Sequence, residues 1–357
     1  MQLPAAPLRI LFVNRMASMI RGGGETFDLE ISRHLERLGV ETSFLTGLPL
    51  WGRARLPLNR PRCHAIRTPY TGWLPWDRVR GGWRLRAWDF ITFQNRAAKW
   101  AAARESDYDI IQVCELPHFV DRWKRLGCRA PVVMRLTAPN YYDPVKGIER
   151  ADAVIASGTT IAHMRAGPRP DVYDIPNCVD TDHFKPGSAG PRKMLGIPES
   201  AFVLIYVARF LEFKRHSDLL AVFSRLLERV PNAFLLLAGS GPLEPHCREI
   251  SRRLDLGDRV CFLGQIPYGD LPMVYSAADA GVIASNEHES FGFVALEAMA
   301  SGLPVVSTAC GMIPGLIEQS GGGAVVPVDK LDWMIEHLIR YASDPALRRT
   351  DGEKNRE

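Results

Sequence analysis

Two glutamates stand eight residues apart in the run Asn286-Glu287-His288-Glu289-Ser290-Phe291-Gly292-Phe293-Val294-Ala295-Leu296-Glu297. A carboxylate accepts hydrogen bonds from sugar hydroxyls, often two at once. Hydrogen bonds to charged groups contribute about 1.5–3 kcal/mol each. Gly292 opens a helix that stops before Gly302, a fitting residue just past a helix end. Glu289 therefore falls in the loop and Glu297 on the helix. Backbone N–H groups of Phe291, Gly292 and Phe293 at the helix start are placed to meet phosphate oxygens. A second pair is cationic. Arg209 ends an apolar run, and Lys214 follows five residues later. A guanidinium fork and an ammonium suit a diphosphate and the charge that develops when it departs. A third feature is Arg21-Gly22-Gly23-Gly24-Glu25 ahead of a helical pattern. Its glycines allow close backbone approach to an anion at a helix N-terminus. Its spacing is neither that of a dinucleotide loop nor that of a P-loop. Taken singly, these read equally as a flexible turn, two surface cations and two chance glutamates. The Phe-Gly step and the following Glu-Ala-Met-Ala-Ser-Gly-Leu-Pro argue against chance in the glutamate motif.

Such residues need elements to position them. Short apolar runs alternate with helical patterns along the whole chain. In the first half the runs are 8–13, 40–46, 110–113, 131–136, 153–156 and 172–175; in the second they are 202–208, 234–238, 260–263, 280–284, 304–307 and 324–326. Continuous apolar runs bounded by turn residues predict strands buried on both faces, as in parallel sheets. The amphipathic stretches Glu25–Leu38 and Ser217–Val230 predict helices between them. The expected fold class is α/β, with two facing Rossmann-like domains. A Pro/Gly/Asp/Ser-rich stretch over 177–191 places the boundary near 188, giving domains 1–188 and 189–357. In open parallel sheets ligands bind beyond the carboxyl ends of strands, where these motifs fall.

Length and composition agree. The chain has 357 residues, enough for two domains. Apolar residues at 46% exclude disorder over most of it. No run of 18 apolar residues predicts a transmembrane helix. Seven scattered cysteines, never spaced C-x-x-C, argue against zinc and a disulfide framework and fit a reducing cytoplasm. No metal site is expected. Net charge is +4, but residues 1–186 carry 27 Lys/Arg against 19 Asp/Glu, while 187–357 carry 17 against 21. The surplus sits in 53–104, with 12 basic residues against Asp77 and Asp89, and six of eight tryptophans lie in 51–104. One reading is a solvated face with core tryptophans. The other is peripheral docking on anionic membrane, where each Lys or Arg contributes about 1 kcal/mol and Trp favours the headgroup layer. No recognised nucleic-acid motif accompanies the charge, so nucleic acid is not an expected partner.

The motifs together resemble the family-4 glycosyltransferases of the GT-B fold. The resemblance covers most of the chain and is strongest over about 151–328. It is carried by Gly22-Gly23-Gly24-Glu25, Ile175-Pro176-Asn177-Cys178-Val179-Asp180, Arg209 with Lys214, Gly239-Ser240-Gly241-Pro242 and the Glu289/Glu297 motif. It implies a metal-independent, cofactor-free enzyme that moves a sugar from a nucleoside-diphosphate sugar to a hydroxyl of a glycan or lipid-linked acceptor, with retention of anomeric configuration, in cell-envelope polysaccharide or glycolipid synthesis. It implies Arg209 and Lys214 on the donor diphosphate, Glu289 on the transferred sugar and Glu297 on the ribose. These make Arg209, Lys214 and Glu289 the expected catalytic residues. Gly23 and Gly24 approach the phosphates, and Gln265 with Ile266 lines the base pocket. Thr137 stands where the family carries a histidine that touches the donor sugar. The family pattern continues past Asp344-Pro345-Ala346 with a helix crossing back to the first domain, so the second domain is expected to be cut short. A non-catalytic nucleotide-sugar-binding protein and a nucleotide-sugar epimerase on the same fold are the rival readings. The expected location is the cytoplasm, including the inner face of the plasma membrane.

Overall fold

The computed structural model describes residues 6–19, 23–50, 62–69, 82–137, 143–165, 167, 169, 171–187, 190–286, 289 and 291–357. Gly22 of the glycine loop, and residues 51–61 and 70–81 of the Trp/Arg segment, lie outside them. The chain forms two compact units, Met1–Asn177 and Cys178–Glu357. The boundary falls ahead of the expected 188 because Phe184, fully buried, packs edge-on to Tyr268 and Tyr275 of the second unit.

The first unit holds a seven-stranded parallel sheet. Its strands are β1 (Arg9–Val13), β2 (Glu41–Pro49), β3 (Cys63–Thr68), β4 (Ile110–Cys114), β5 (Val132–Arg135), β6 (Ala153–Ala156) and β7 (Tyr173–Asp174). Their order is β3-β2-β1-β4-β5-β6-β7. Period-2 alternation in β1 fills both faces. Leu11 and Val13 join Phe93, Ala97 and Trp123 on one side. Ile10 and Phe12 join Leu29 and Phe44 on the other. β3 was not legible in sequence: Cys-His-Ala-Ile-Arg-Thr is an edge strand that is mostly open to solvent and needs no apolar run.

The second unit holds a six-stranded parallel sheet made of β8 (Phe202–Val207), β9 (Ala233–Ala238), β10 (Val260–Gly264), β11 (Ala280–Ile283), β12 (Val305–Thr308) and β13 (Gly323–Val326). Their order is β10-β9-β8-β11-β12-β13. Five of six residues in β8 and all of β9 are buried, as two-faced strands require. Fully burying one such Leu, Ile or Phe is worth about 1.5–3 kcal/mol. In both sheets the strand order reverses at the first strand, at β1/β4 and at β8/β11. These are the topological switch points, where crevices open beyond the carboxyl ends.

The last helix, Pro345–Arg356, belongs to the second unit. Asp344 caps it by accepting from the Ala346 and Leu347 amides at 3.0 and 2.9 Å. Gly352 packs so tightly that a Cβ there would meet the Gly302 carbonyl at 2.0 Å. Arg356 donates to the carbonyls of Phe184 and Thr181.

Candidate active site

In the second unit the expected residues gather around the β8/β11 switch point. β8 runs out at Val207, and Arg209 stands exposed just beyond it. The chain here lies under the 239–243 loop: Phe210 N–H donates to Ser240 O, and Leu243 N–H donates to Phe210 O. The approach is close enough to demand glycine. At Gly239 (φ +141°) a Cβ would fall 2.0 Å from the Ala208 carbonyl oxygen, and at Gly241 2.5 Å from that of Phe210. Gly239 N–H donates to Gly264 O at 2.7 Å. This sets Gln265 and Ile266 next to the loop, with Ser240 Oγ 3.5 Å from Gln265 Oε1.

Lys214 closes a short helical turn, Glu212–Lys214, and its ammonium binds the Glu289 carboxylate directly. Both side chains are nearly buried, at 12% and 14% exposure. The two loops that carry them are tied by Asn286 N–H to Phe213 O at 2.9 Å. Tyr206, at the heart of β8, braces both: its hydroxyl donates to Lys214 O at 3.0 Å and meets Ser285 Oγ at 3.0 Å. Burial holds the Tyr206 hydroxyl well above its ordinary pKa, so it stays a donor. The sequence thus separates a cation expected on phosphate from a carboxylate expected on sugar, and the fold brings them into one ion pair.

Gly292 takes φ +90° at the start of helix Phe293–Ala300, where a Cβ would sit 2.6 Å from Ile313. Phe291 and Phe293 pack on each other with ring centroids 5.1 Å apart. Glu297, one turn in, is 6% exposed and accepts the Tyr275 hydroxyl at Oε2, 2.9 Å away. His216 follows the cation loop at the start of helix His216–Arg229. It is 3% exposed and stacks on Phe210 at 4.1 Å. Burial first, and then the Lys214 charge, lower its pKa from 6.5 to about 4. The Ala208 backbone opposes that shift weakly, but neither ring nitrogen makes a hydrogen bond of normal geometry. His216 therefore adds no charge beside the cation loop near neutral pH.

In the first unit, Gly23 and Gly24 form the first turn of helix Gly23–Arg37. Gly24 lies against Thr137: a Cβ there would be 3.4 Å from Thr137 Cγ2 and 3.6 Å from Arg135 Nη2. The helix start is held from below by a buried network. Arg135 Nη2 donates to Gly24 O at 2.7 Å, and Arg135 Nε donates to Asp28 Oδ1 at 3.0 Å. Asp28 also accepts from Asn14 at 2.7 Å and Gln112 at 3.2 Å. Burial opposes the charge on Arg135, but the Asp28 carboxylate prevails and raises its pKa above the ordinary value. The Thr137 backbone N–H donates to Glu115 Oε1 at 2.7 Å, and its hydroxyl bonds the same oxygen. Glu115 has φ +53°, a costly conformation for a non-glycine residue.

Sequence reading missed Tyr206, Tyr275, Asp28 and Arg135. Asp28 and Arg135 are 107 positions apart, and no local pattern links them. The runs Asp107-Tyr108-Asp109 and Asp180-Thr181-Asp182 have structural uses. Asp109 pairs with Arg9 at 2.8 Å, and Asp180 accepts from the Asp182 and His183 amides. Among the described residues no three His, Cys, Asp or Glu side chains converge as metal ligands.

Comparison with known proteins agrees with this arrangement. The family described as "Glycosyl transferases group 1" matches residues 191–357. N-acetyl-alpha-D-glucosaminyl L-malate synthase of Bacillus anthracis is 33% identical over 280 residues, spanning 73% of this chain and 72% of that one. In structure, the chain is similar to sucrose-phosphate synthase from Thermosynechococcus elongatus, with TM-score 0.78 and 23% identity over 98% of this chain and 93% of that one. It is similar also to Anabaena HepE in complex with UDP-glucose, with TM-score 0.72 and 21% identity over 98% and 93%. The two parallel-sheet units, the motifs at their strand ends and the Bacillus relative place this chain in the group 1 glycosyl transferases, enzymes of the GT-B fold.

Proposed function

We propose that this glycosyltransferase moves a sugar from a nucleoside-diphosphate sugar to a hydroxyl of a glycan or lipid-linked acceptor, retaining the anomeric configuration. The observation that carries the reading is the placing of exposed Arg209 and the Lys214–Glu289 pair in the segments that follow the adjacent strands β8 and β11. When the donor binds, its diphosphate takes Lys214 from Glu289. The freed carboxylate then turns to the sugar hydroxyls. Arg209, Lys214 and the amides of Phe291–Phe293 stabilise the charge on the departing nucleoside diphosphate without a metal ion. Glu297 holds the ribose, and the segment at Gln265 and Ile266 faces the base. Gly23, Gly24 and Thr137, the other expected donor contacts, lie in the first unit, where Gly24 stands against Thr137. UDP-glucose bound to the structurally similar HepE supports a nucleotide-sugar donor.

The acceptor reading includes location. No helix among the described residues is long and apolar enough to cross a membrane. Helix Gly82–Ala102 begins with Trp83, Leu85 and Trp88 exposed at 61%, 46% and 55%, interleaved with exposed Arg84 and Arg86. Its one acidic residue, Asp89, is buried against Arg15 at 2.5 Å. We read this face as a cytoplasmic-side contact with anionic lipid, consistent with a lipid-linked acceptor in cell-envelope polysaccharide or glycolipid synthesis. The test of function is sugar release and transfer from UDP-, GDP- and ADP-sugars, with the product anomer assigned by NMR. Arg209→Ala should abolish turnover with little loss of stability; full activity in that variant removes Arg209 from the mechanism. Conversion of the donor sugar without any acceptor would favour an epimerase instead.

A further inference from the structure

We propose that Tyr275 is a positioning residue that fixes the Glu297 carboxylate for the donor's ribose. This rests on the reading above that Glu297 binds the ribose. Tyr275 ends the short helix Leu271–Tyr275, on a different element from Glu297. Its ring is 1% exposed and packs edge-on to Phe184, with centroids 5.8 Å apart. Its hydroxyl donates to Glu297 Oε2 at 2.9 Å and lies 3.4 Å from Val294 O. A glutamate side chain has three rotatable bonds and fixes its carboxylate only if something holds the far end. Here a rigid, fully packed ring holds it. Burial first, and then the Glu297 charge, push the Tyr275 hydroxyl well above its ordinary pKa. The phenol therefore remains a donor. An ionised carboxylate has about four lone-pair sites, so accepting from Tyr275 leaves it able to accept from ribose hydroxyls as well. The plainer role of Tyr275, satisfying a buried charge, predicts a stability effect alone. The positioning role predicts a loss of ribose recognition in addition.

The experiment is calorimetric binding of UDP, GDP and ADP, each against its 2′-deoxy and 3′-deoxy analogue, to the full chain. The wild type should prefer one ribonucleotide over at least one of its deoxy forms by roughly tenfold or more, the worth of a hydrogen bond to a charged group. Tyr275→Phe should cut that preference to about threefold or less by weakening ribonucleotide binding, with deoxynucleotide affinity unchanged. Glu297→Gln should also cut it, and the double variant should lose no more than Glu297→Gln alone. If Glu297→Gln keeps the full preference, the ribose reading of Glu297 fails. If Glu297→Gln loses it while Tyr275→Phe keeps it, the ribose reading stands and the Tyr275 proposal is overturned. Should Tyr275→Phe not fold, 4-fluorophenylalanine at 275 fills the place of the hydroxyl without donating a hydrogen bond, and the preference should again fall to about threefold or less; a full preference in that protein overturns the proposal. Binding of none of the three nucleotides overturns both readings together.

Discussion

His216 makes the stability of the second unit sensitive to mild acid. Its pKa lies at about 4 in the folded chain against 6.5 for an ordinary histidine. A base whose pKa is lowered by folding is held neutral in the native state. Above pH 6.5 both states are neutral and nothing is lost. As pH falls below 6.5 the unfolded chain takes up a proton that the folded chain refuses, so stability drops until the folded pKa is reached. Across the full window the difference between 6.5 and about 4 amounts to roughly 3 kcal/mol. By about pH 5 the loss is roughly 2 kcal/mol. The isolating perturbation is His216→Phe, which keeps an aromatic ring against Phe210 and removes the titration. Both proteins would be equilibrated in urea near neutrality and near pH 5. A brief deuterium pulse at a common pH would then be read in peptides from β8 and β9. Carboxylates elsewhere lose stability in both proteins alike. The wild type should lose about 2 kcal/mol more than the variant between the two conditions. Equal losses would refute the assignment of a buried neutral imidazole to this position.

In the first unit, Asp28→Asn leaves the buried Arg135 guanidinium without its charged partner. That should cost about 3–5 kcal/mol, seen as a lower urea midpoint for peptides from β1, β4 and β5 while β8 and β9 are unmoved; an unchanged midpoint would contradict the network. For the exposed face of helix Gly82–Ala102, phosphatidylglycerol vesicles should sediment the protein at low salt and phosphatidylcholine vesicles should not. Arg84→Glu with Arg86→Glu, or Trp83→Ser with Trp88→Ser, should release it, and sedimentation indifferent to lipid charge, salt and both variants would exclude this docking face.

The strands were legible because parallel sheets bury both faces, and twelve apolar runs announced themselves without help from their neighbours. β3 escaped because an exposed edge strand needs no such run. The second-unit motifs were legible for a related reason. Arg209, Lys214, Glu289 and Glu297 lie in two short segments that follow strands directly. The supports beneath them were not. Tyr275 reaches Glu297 across 22 residues and Tyr206 reaches Ser285 across 79, contacts created by the sheet order and not by any local period. The Lys214–Glu289 ion pair was hidden in the same way: each residue was readable as a ligand for a different part of the donor, but their mutual contact depends on β8 and β11 lying side by side. The Trp/Arg segment divided in a manner that composition alone could not settle. Trp83 and Trp88 are exposed, Trp100 is half-buried beneath Arg104, and Asp89, one of the segment's two acidic residues, is internal.

Calorimetric titration of the full chain with UDP, GDP and ADP, beside Arg209→Ala, tests the account most directly. Tight binding of one nucleotide, lost in Arg209→Ala while the fold is kept, is the predicted result. Binding of none, or binding that is the same in the variant, would contradict a donor-diphosphate site beyond β8 and β11.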